Sequence, residues 1–172
     1  TGALKSDDTQ YMSKCLNDLG IVVEECGDEE FIIHGTNGHI PARDGDLFVG
    51  NSGTTARFLK ALTSLGTGRY RIDGVPRMRQ RPIQDLLDGL SKLGVQPATE
   101  LNNGCPPLRI ASTGIRGGST RLPGGRSSQY LTALLLVSAY AEQDVDIHIE
   151  GTLGSTPYID MTIQIMKDFG VE

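Results

Sequence analysis

Residues 47–59, LFVGNSGTTARFL, join an apolar strand-like run to a glycine turn and the start of a helical pattern. Glycines at a strand-to-helix turn let backbone N–H groups face one point, and the positive end of the helix dipole adds to that field. The stretch therefore predicts an anion site at the turn. It has neither the lysine of a P-loop nor the third glycine of a dinucleotide-binding turn, so a nucleotide is not the expected anion.

Two further predicted helix starts carry hydroxyl and amide side chains, at residues 126–129 (RSSQ) and 155–158 (STPY). Serine and threonine are favoured N-caps and proline suits the first helical position, so each start taken alone is explained by capping. If the three helix starts lie on one rim of the domain, their free N–H groups and side chains form a pocket for negative charge.

Arginines concentrate in one short segment, GVPRMRQRPI, which contains Arg77, Arg79 and Arg81 and no acidic residue. Arginine binds carboxylate or phosphate through a planar two-point fork. The segment therefore predicts a local positive field, although exposed arginines are also often solvated or paired singly. Arg57, one turn into the first helix, belongs either to this patch or to the ordinary surface.

Composition restricts the partners. The chain has 172 residues and a formal net charge of −5, which argues against nucleic acid or an acidic membrane as partner. No apolar run reaches the roughly 18 residues of a membrane span. The three cysteines form no C-x-x-C pair and the three histidines lack metal-ligand spacing, so we expect a cytoplasmic protein without a metal or other cofactor.

A repeat of about 75 residues runs along the chain. Three amphipathic patterns end in similar tripeptides whose glycines, Gly20, Gly94 and Gly170, predict helix stops. Strand-like segments and a second helix follow, so that each unit is predicted to run helix, two strands, helix, strand. The second helices lie at 54–65 and 128–141. The one at 128–141 is apolar nearly all round, which indicates burial on all sides and places these helices at the centre.

Buried helices surrounded by strands predict an inside-out α/β barrel, or α/β prism, of repeated βαβαββ-type units with buried central helices and outer sheets. The chain starts within one unit and stops after the first helix of a third, about fifty residues short of three units. We expect residues 1–172 to form one incomplete domain of a longer protein.

The segments GNSGTTARFL, DGVPRMRQRPIQDLLDGLSKLGV, CPPLRI, SSQYLTALLL and PYIDMT resemble, in this order and spacing, the EPSP synthase (3-phosphoshikimate 1-carboxyvinyltransferase) family. The resemblance covers residues 6–172. It implies two inside-out domains of three repeats each, of which this chain would be the central part of the N-terminal one. It also implies transfer of the enolpyruvyl group of phosphoenolpyruvate to the 5-hydroxyl of shikimate 3-phosphate, releasing phosphate, in aromatic amino-acid biosynthesis.

The resemblance assigns binding roles to nine residues. Shikimate 3-phosphate is assigned to Ser127, Ser128, Gln129, Ser155 and Tyr158. Phosphoenolpyruvate, or the inhibitor glyphosate, is assigned to Asn51, Gly53, Thr54, Arg77 and Gln129. Three more positions match family motifs and are assigned to the scaffold first: Arg57, Arg81 and Asp160.

The resemblance also marks what this chain does not supply. The family's acid and base groups lie in an N-terminal K-S-x-x-x-R segment and in the second domain. Lys5-Ser6 is not that segment, because no arginine follows at the required spacing. No catalytic residue is therefore assigned, and the chain alone is expected to be inactive. Phe58 is bulkier than the residue of many relatives, which bears on glyphosate sensitivity.

Three alternatives stay open. The chain could act as a non-catalytic module that binds shikimate 3-phosphate. It could be a relative of UDP-N-acetylglucosamine enolpyruvyl transferase, which shares the fold, but SSQ and PRMRQRPI match the shikimate branch better. A purely structural repeat protein would leave Arg77 and Ser127 without a role.

Overall fold

Helices and strands follow one another in two similar runs in the computed structural model, which describes residues 2–171. The first run is α1 Asp7–Asp18, β1 Val23–Glu25, β2 Phe31–Ile33, β3 Asp44–Phe48, α2 Gly53–Thr63 and β4 Thr67–Asp73. The second is α3 Gln84–Lys92, β5 Gln96–Thr99, β6 Leu108–Thr113, β7 Gly118–Pro123, α4 Ser128–Ser138 and β8 Val145–Glu150, after which α5 Thr156–Asp168 begins a third.

The predicted glycine stops are confirmed. Gly20, Gly94 and Gly170 follow α1, α3 and α5 with φ values of +82°, +96° and +82°. Only glycine adopts this left-handed conformation without steric cost, so each of these helices ends where the sequence pattern places its end.

The strands repeat with the helices. β3 and β4 are parallel neighbours in a four-stranded sheet of order β3-β4-β6-β5, and β7 and β8 form the corresponding parallel pair. The antiparallel pair β1–β2 corresponds to the antiparallel pair β5–β6. The architecture agrees with the predicted prism of βαβαββ units, read as a cyclic order beginning at β3.

The predicted unit of helix, two strands, helix and strand was wrong by one strand. Three strands separate the two helices of each run, because β3 and β7 directly precede the second helix. β3 buries only Leu47 and β7 only Thr120 and Leu122. The strand-like run before the glycine turn marked the end of β3 but was not counted in the repeat unit, and β7 has too few buried positions to show an apolar alternation in the sequence.

The second helices form the interior. Every residue of α2 is buried or half-buried, including Lys60, whose side chain is fully enclosed. α4 packs between α2 and α5 and buries most of its length. The expectation of burial on all sides fails at Leu136, which is 38% exposed on the face that borders a groove between these three helices. Across the described residues, the helices are too short or too polar to cross a membrane.

Candidate functional site

The turns that carry the predicted site follow parallel strands. β3 and β4 end at the same edge, where the Val49 N–H donates to the carbonyl of Asp73 at 2.9 Å and the Val75 N–H donates to Gly50 at 3.1 Å. These bonds hold the glycine turn beside the arginine loop, which we define as residues 77–82. Parallel strands thus bring together two segments that the sequence separates.

The second parallel pair repeats this arrangement. After β7 and β8, the Gly124 N–H donates to Glu150 at 2.8 Å and the Gly154 N–H donates to Gly124 at 3.1 Å. A side chain on Gly124 would collide with the Thr152 carbonyl, so glycine allows this close approach. The turns that start α4 and α5 are therefore held together at one edge.

A groove of about 670 Å³ lies between α2, α4 and α5 and is open at its mouth. Five of the nine predicted binding residues line it: Thr54, Ser127, Ser128, Gln129 and Tyr158. These residues come from all three predicted helix starts. The three predicted helix starts therefore each contribute at least one residue to a single groove, and the anion site itself stays a prediction.

Gln129 is fixed at the centre of the groove. Its Oε1 accepts a hydrogen bond from Arg57 Nη1 at 2.5 Å, and its Nε2 donates to Thr54 Oγ1 at 3.1 Å. These two partners determine which end of the amide is oxygen and which is nitrogen. Arg57 also lies over the ring of Tyr130, with Cζ 5.5 Å from the ring centroid, and its buried Nε has no partner among the described residues. The residue assigned to the scaffold thus lines the groove.

The start of α2 leaves N–H donors free beside positive charge. Ser52 caps the helix by accepting from the Thr55 N–H at 3.1 Å, while the N–H groups of Gly53 and Thr54 have no acceptor in the described part of the chain. A Cβ built on Gly53 would overlap Arg81 Nη1 and lie 3.0 Å from Arg57 Nη1. Two guanidinium groups therefore flank a helix N-terminus, an arrangement that attracts anions.

The capping serines differ from each other. Ser127 accepts from the Gln129 N–H at 3.3 Å, as an N-cap does. Ser155 has φ +54° and makes no side-chain capping bond, so its exposed hydroxyl is not engaged by its own helix. A left-handed non-glycine residue costs of the order of 1 kcal/mol, and such conformations concentrate at ligand sites.

The arginines of the loop separate into two kinds. Arg79 grips the carboxylate of Asp73 with two bonds, Nη2 to Oδ2 at 2.7 Å and Nε to Oδ1 at 2.9 Å. Burial opposes ionisation of Asp73, but the hydrogen bonds from Arg79, the Gly74 N–H and Arg71 outweigh it and lower the pKa of that carboxyl. Arg77 is exposed, and among the described residues its side chain donates one hydrogen bond, to Gln80 Oε1 at 3.2 Å, so its charge is available to a ligand.

Not every predicted residue lines the groove. Asn51, Gly53, Arg77 and Ser155 lie outside its lining; Asn51, Gly53 and Ser155 belong to the turns at the starts of α2 and α5, and Arg77 to the arginine loop. The far end is apolar and was not predicted; it is formed by Phe58, Thr132, Leu136, Met161, Thr162 and Ile165. The helical spacing of Met161 and Ile165 was the available signal, since both stand on one face of α5. No cluster of residues suited to hold a metal ion occurs in the part of the chain that the structure describes.

The fold and the groove define a class: a repeat-built α/β domain in which helix N-termini, hydroxyls and guanidinium groups meet at one groove. The family described as EPSP synthase (3-phosphoshikimate 1-carboxyvinyltransferase) matches residues 1–172. The chain belongs to the EPSP synthase family.

Individual relatives agree. The 3-phosphoshikimate 1-carboxyvinyltransferase of Nostoc punctiforme is 48% identical over 99% of this chain and 40% of its own length. The chloroplastic enzyme of Solanum lycopersicum is 45% identical over 98% of the chain and 34% of its own length. The solved EPSP synthase of Acinetobacter baumannii superposes with a TM-score of 0.80 at 27% identity, covering 97% of this chain and 37% of that one. The chain spans about 40% of the length of such relatives.

Proposed function

We propose that this chain supplies the shikimate 3-phosphate site, and part of the phosphoenolpyruvate site, of a 3-phosphoshikimate 1-carboxyvinyltransferase. The observation that carries the proposal is the meeting of three helix starts at one groove, with Gln129 held between Arg57 and Thr54. An otherwise acidic chain thereby offers a local site for two anionic substrates.

The serine hydroxyls are suited to the phosphate of shikimate 3-phosphate. Ser127 and Ser128 stand at the start of α4, where the helix dipole favours negative charge, and Ser155 at the start of α5 has a hydroxyl free of capping. Gln129 and Tyr158 border the same groove and would orient the shikimate ring through hydrogen bonds and ring contact. The hydroxyls bind and the helix N-termini supply the field.

Phosphoenolpyruvate is assigned to the neighbouring turn. The free N–H groups of Gly53 and Thr54 would meet one of its anionic groups, and the exposed side chains of Arg77 and Asn51 would reach the other. Glyphosate, which also carries a carboxylate and a phosphorus oxyanion, would occupy the same place. The side chain of Phe58 packs against the core and also lines the apolar end of the groove, and its bulk would influence inhibitor binding by shifting the turn at Gly53.

Proton transfer belongs elsewhere in the enzyme. Addition of the 5-hydroxyl to phosphoenolpyruvate requires a proton on its methylene carbon and removal of the hydroxyl proton, which need groups of tuned pKa at the groove. Among the groove-lining residues there is no carboxylate, histidine or lysine. We therefore place the acid and base outside this chain, in the N-terminal K-S-x-x-x-R segment and in the second domain that the family resemblance implies, which makes the second domain a necessary partner.

We further propose that residues 1–172 are an incomplete N-terminal domain. β4 pairs with β6 on one side, whereas its counterpart β8 has only β7 as a neighbour within the described residues. Met161, Ile165 and Phe169 on or next to α5 are 53%, 47% and 86% exposed. A third unit would pair with β8 and cover these side chains. Three cysteines free of disulfides support the cytoplasm as the compartment.

Two measurements test the function. An amide NMR titration of the 172-residue chain with shikimate 3-phosphate should shift residues 127–129 and 155–158, and the Ser127→Ala, Ser128→Ala double variant should weaken binding at least tenfold. Shifts produced by UDP-N-acetylglucosamine instead would favour the other enolpyruvyl transferase.

Catalysis is tested in the full-length enzyme, by which we mean the longer protein in which we place this chain. It should release phosphate only when both substrates are present. Exchanging the matching segment of the Nostoc punctiforme relative for this chain should likewise give an active chimera. Turnover by the 172-residue chain alone would contradict the assignment of the acid and base to parts of the enzyme outside residues 1–172.

A further inference from the structure

We propose that Tyr130 is a positioning residue that ties the groove to the arginine loop and thereby sets the affinity for the anionic substrate that the loop faces. The inference rests on the proposed function for the identity of that substrate, phosphoenolpyruvate. It adds a residue to which neither the family resemblance nor the relatives' names assign a role.

The hydroxyl of Tyr130 makes a long-range contact. Tyr130 is 6% exposed, and its Oη donates to the carbonyl of Pro82 at 2.7 Å, across 48 residues of sequence. Pro82 closes the arginine loop, and the next residue, Ile83, donates its N–H to Gly104 at 2.9 Å. The hydroxyl is therefore the contact by which α4 holds the end of the loop.

The ring of Tyr130 contacts Arg57 on α2. It supports the guanidinium of Arg57, which in turn donates to the Gln129 amide. One side chain thus contacts both the group that orients Gln129 and the segment that carries Arg77 and Arg81. Tyrosine suits this position because its face attracts a cation while its hydroxyl reaches a carbonyl.

Other contacts hold the earlier part of the loop, where Met78 is buried in the core. Its internal turn is closed by the N–H of Arg81 donating to Met78 at 3.0 Å, and its middle is held by the Arg79–Asp73 pair. The last residue before the tethered Pro82 is Arg81, whose guanidinium lies against Gly53. Loss of the Tyr130–Pro82 hydrogen bond would therefore first displace Arg81, at the start of α2, where the proposed anion binds.

Tyr130→Phe isolates the hydroxyl, because the ring and its contact with Arg57 stay. Tyr70→Phe is the matched control: Tyr70 is 1% exposed and donates to the Ala42 carbonyl at 2.8 Å, away from the groove. Each variant removes one buried hydroxyl-to-carbonyl bond, so both should lose similar stability.

The assay is steady-state kinetics of the full-length enzyme, joined to hydrogen exchange without substrate. Tyr130→Phe should raise KM for phosphoenolpyruvate about fivefold and leave kcat within twofold. This pattern is expected when a lost interaction had stabilised the bound substrate and the transition state equally. KM for shikimate 3-phosphate should change less. Amide exchange at residues 78–83 should accelerate in Tyr130→Phe alone, while Tyr70→Phe leaves both KM values within twofold.

Unchanged KM for phosphoenolpyruvate in Tyr130→Phe, or equal changes in both variants, would overturn the inference. An equal rise in KM for both substrates would also overturn it, because the tether would then lack a preference for the loop's ligand. If the wild-type enzyme were inactive with these substrates, the proposed function would fail. The exchange measurement would still decide the tether, since unchanged exchange at 78–83 refutes it without any substrate.

Discussion

Replacing Lys60 with methionine should stabilise the protein, and should do so more strongly as the pH falls. Lys60 is fully enclosed in α2, and its Nζ has no hydrogen-bond partner among the described residues. Burial lowers the pKa of its amine well below the ordinary 10.5, the positive charge of Arg57 lowers it further, and Cys105 opposes the shift. Between that lowered pKa and 10.5 the amine is neutral when folded and charged when unfolded.

The size of the effect follows from proton linkage. In that pH window the unfolded chain binds one more proton than the folded chain, so the free energy of unfolding falls by about 1.4 kcal/mol for each pH unit downwards. Methionine has a similar length and no titrating group, so Lys60→Met removes this term. It also removes the cost of an unpaired buried polar group, about 1–3 kcal/mol. Lys60→Met should be more stable than the wild type at every pH in this window, with the smallest gain in stability near pH 10.

Urea unfolding at pH 7, 8 and 9, followed by far-ultraviolet circular dichroism, measures the difference between variant and wild type. Lys92→Met is the matched control, because Lys92 is exposed in the last turn of α3 and should show no gain that grows with acidity. A difference that stays constant with pH would refute the reasoning, since the amine of Lys60 would then titrate alike in both states. A less stable Lys60→Met would also refute it.

The remaining predictions concern the site and use the full-length enzyme. Arg77→Ala should raise KM for phosphoenolpyruvate at least tenfold with little loss of stability, whereas Arg79→Ala should lower the melting temperature because it leaves the buried Asp73 carboxylate with fewer partners; reversed effects would exchange the two roles. Ser127→Ala should lower the affinity for shikimate 3-phosphate, measured by equilibrium titration, by about tenfold. The affinity would stay unchanged if Ser127 only capped α4. Gly53→Ala should keep the melting temperature within a few degrees but displace the Arg81 guanidinium and raise KM for phosphoenolpyruvate; wild-type kinetics would show that this guanidinium is not part of the site.

Local sequence was sufficient to predict a structural feature wherever that feature depends on one helix or strand alone. The ends of α1, α3 and α5 were predictable because a left-handed turn requires glycine and the apolar period stops there. The N-termini of α2 and α4 were predictable because Ser52 and Ser127 are capping residues. The weakly buried strand β7 was not predictable, and β3 showed only its last residues as an apolar run, since the pairing of both comes from the neighbours β4 and β8 and not from their own pattern.

The roles of the charged residues required the fold. Arg77 and Arg79 are equivalent in the sequence, and only the position of Asp73 at the end of β4 makes one structural and leaves the other free. Lys60 reads as an ordinary helix lysine, but an inner helix has no solvent side on which to place it. Each outcome depends on groups brought close by other elements.

The repeat, the helix ends and the kinds of side chain available at the site can be inferred from the sequence, because they follow from conformational preference and periodicity within a few turns of chain. Which of those side chains meet depends on tertiary packing. Arg57 and Gln129 are 72 residues apart, and Tyr130 and Pro82 are 48 apart. Parallel strand pairing and the packing of α2, α4 and α5 bring these pairs into contact, and no local propensity encodes a distance of that kind.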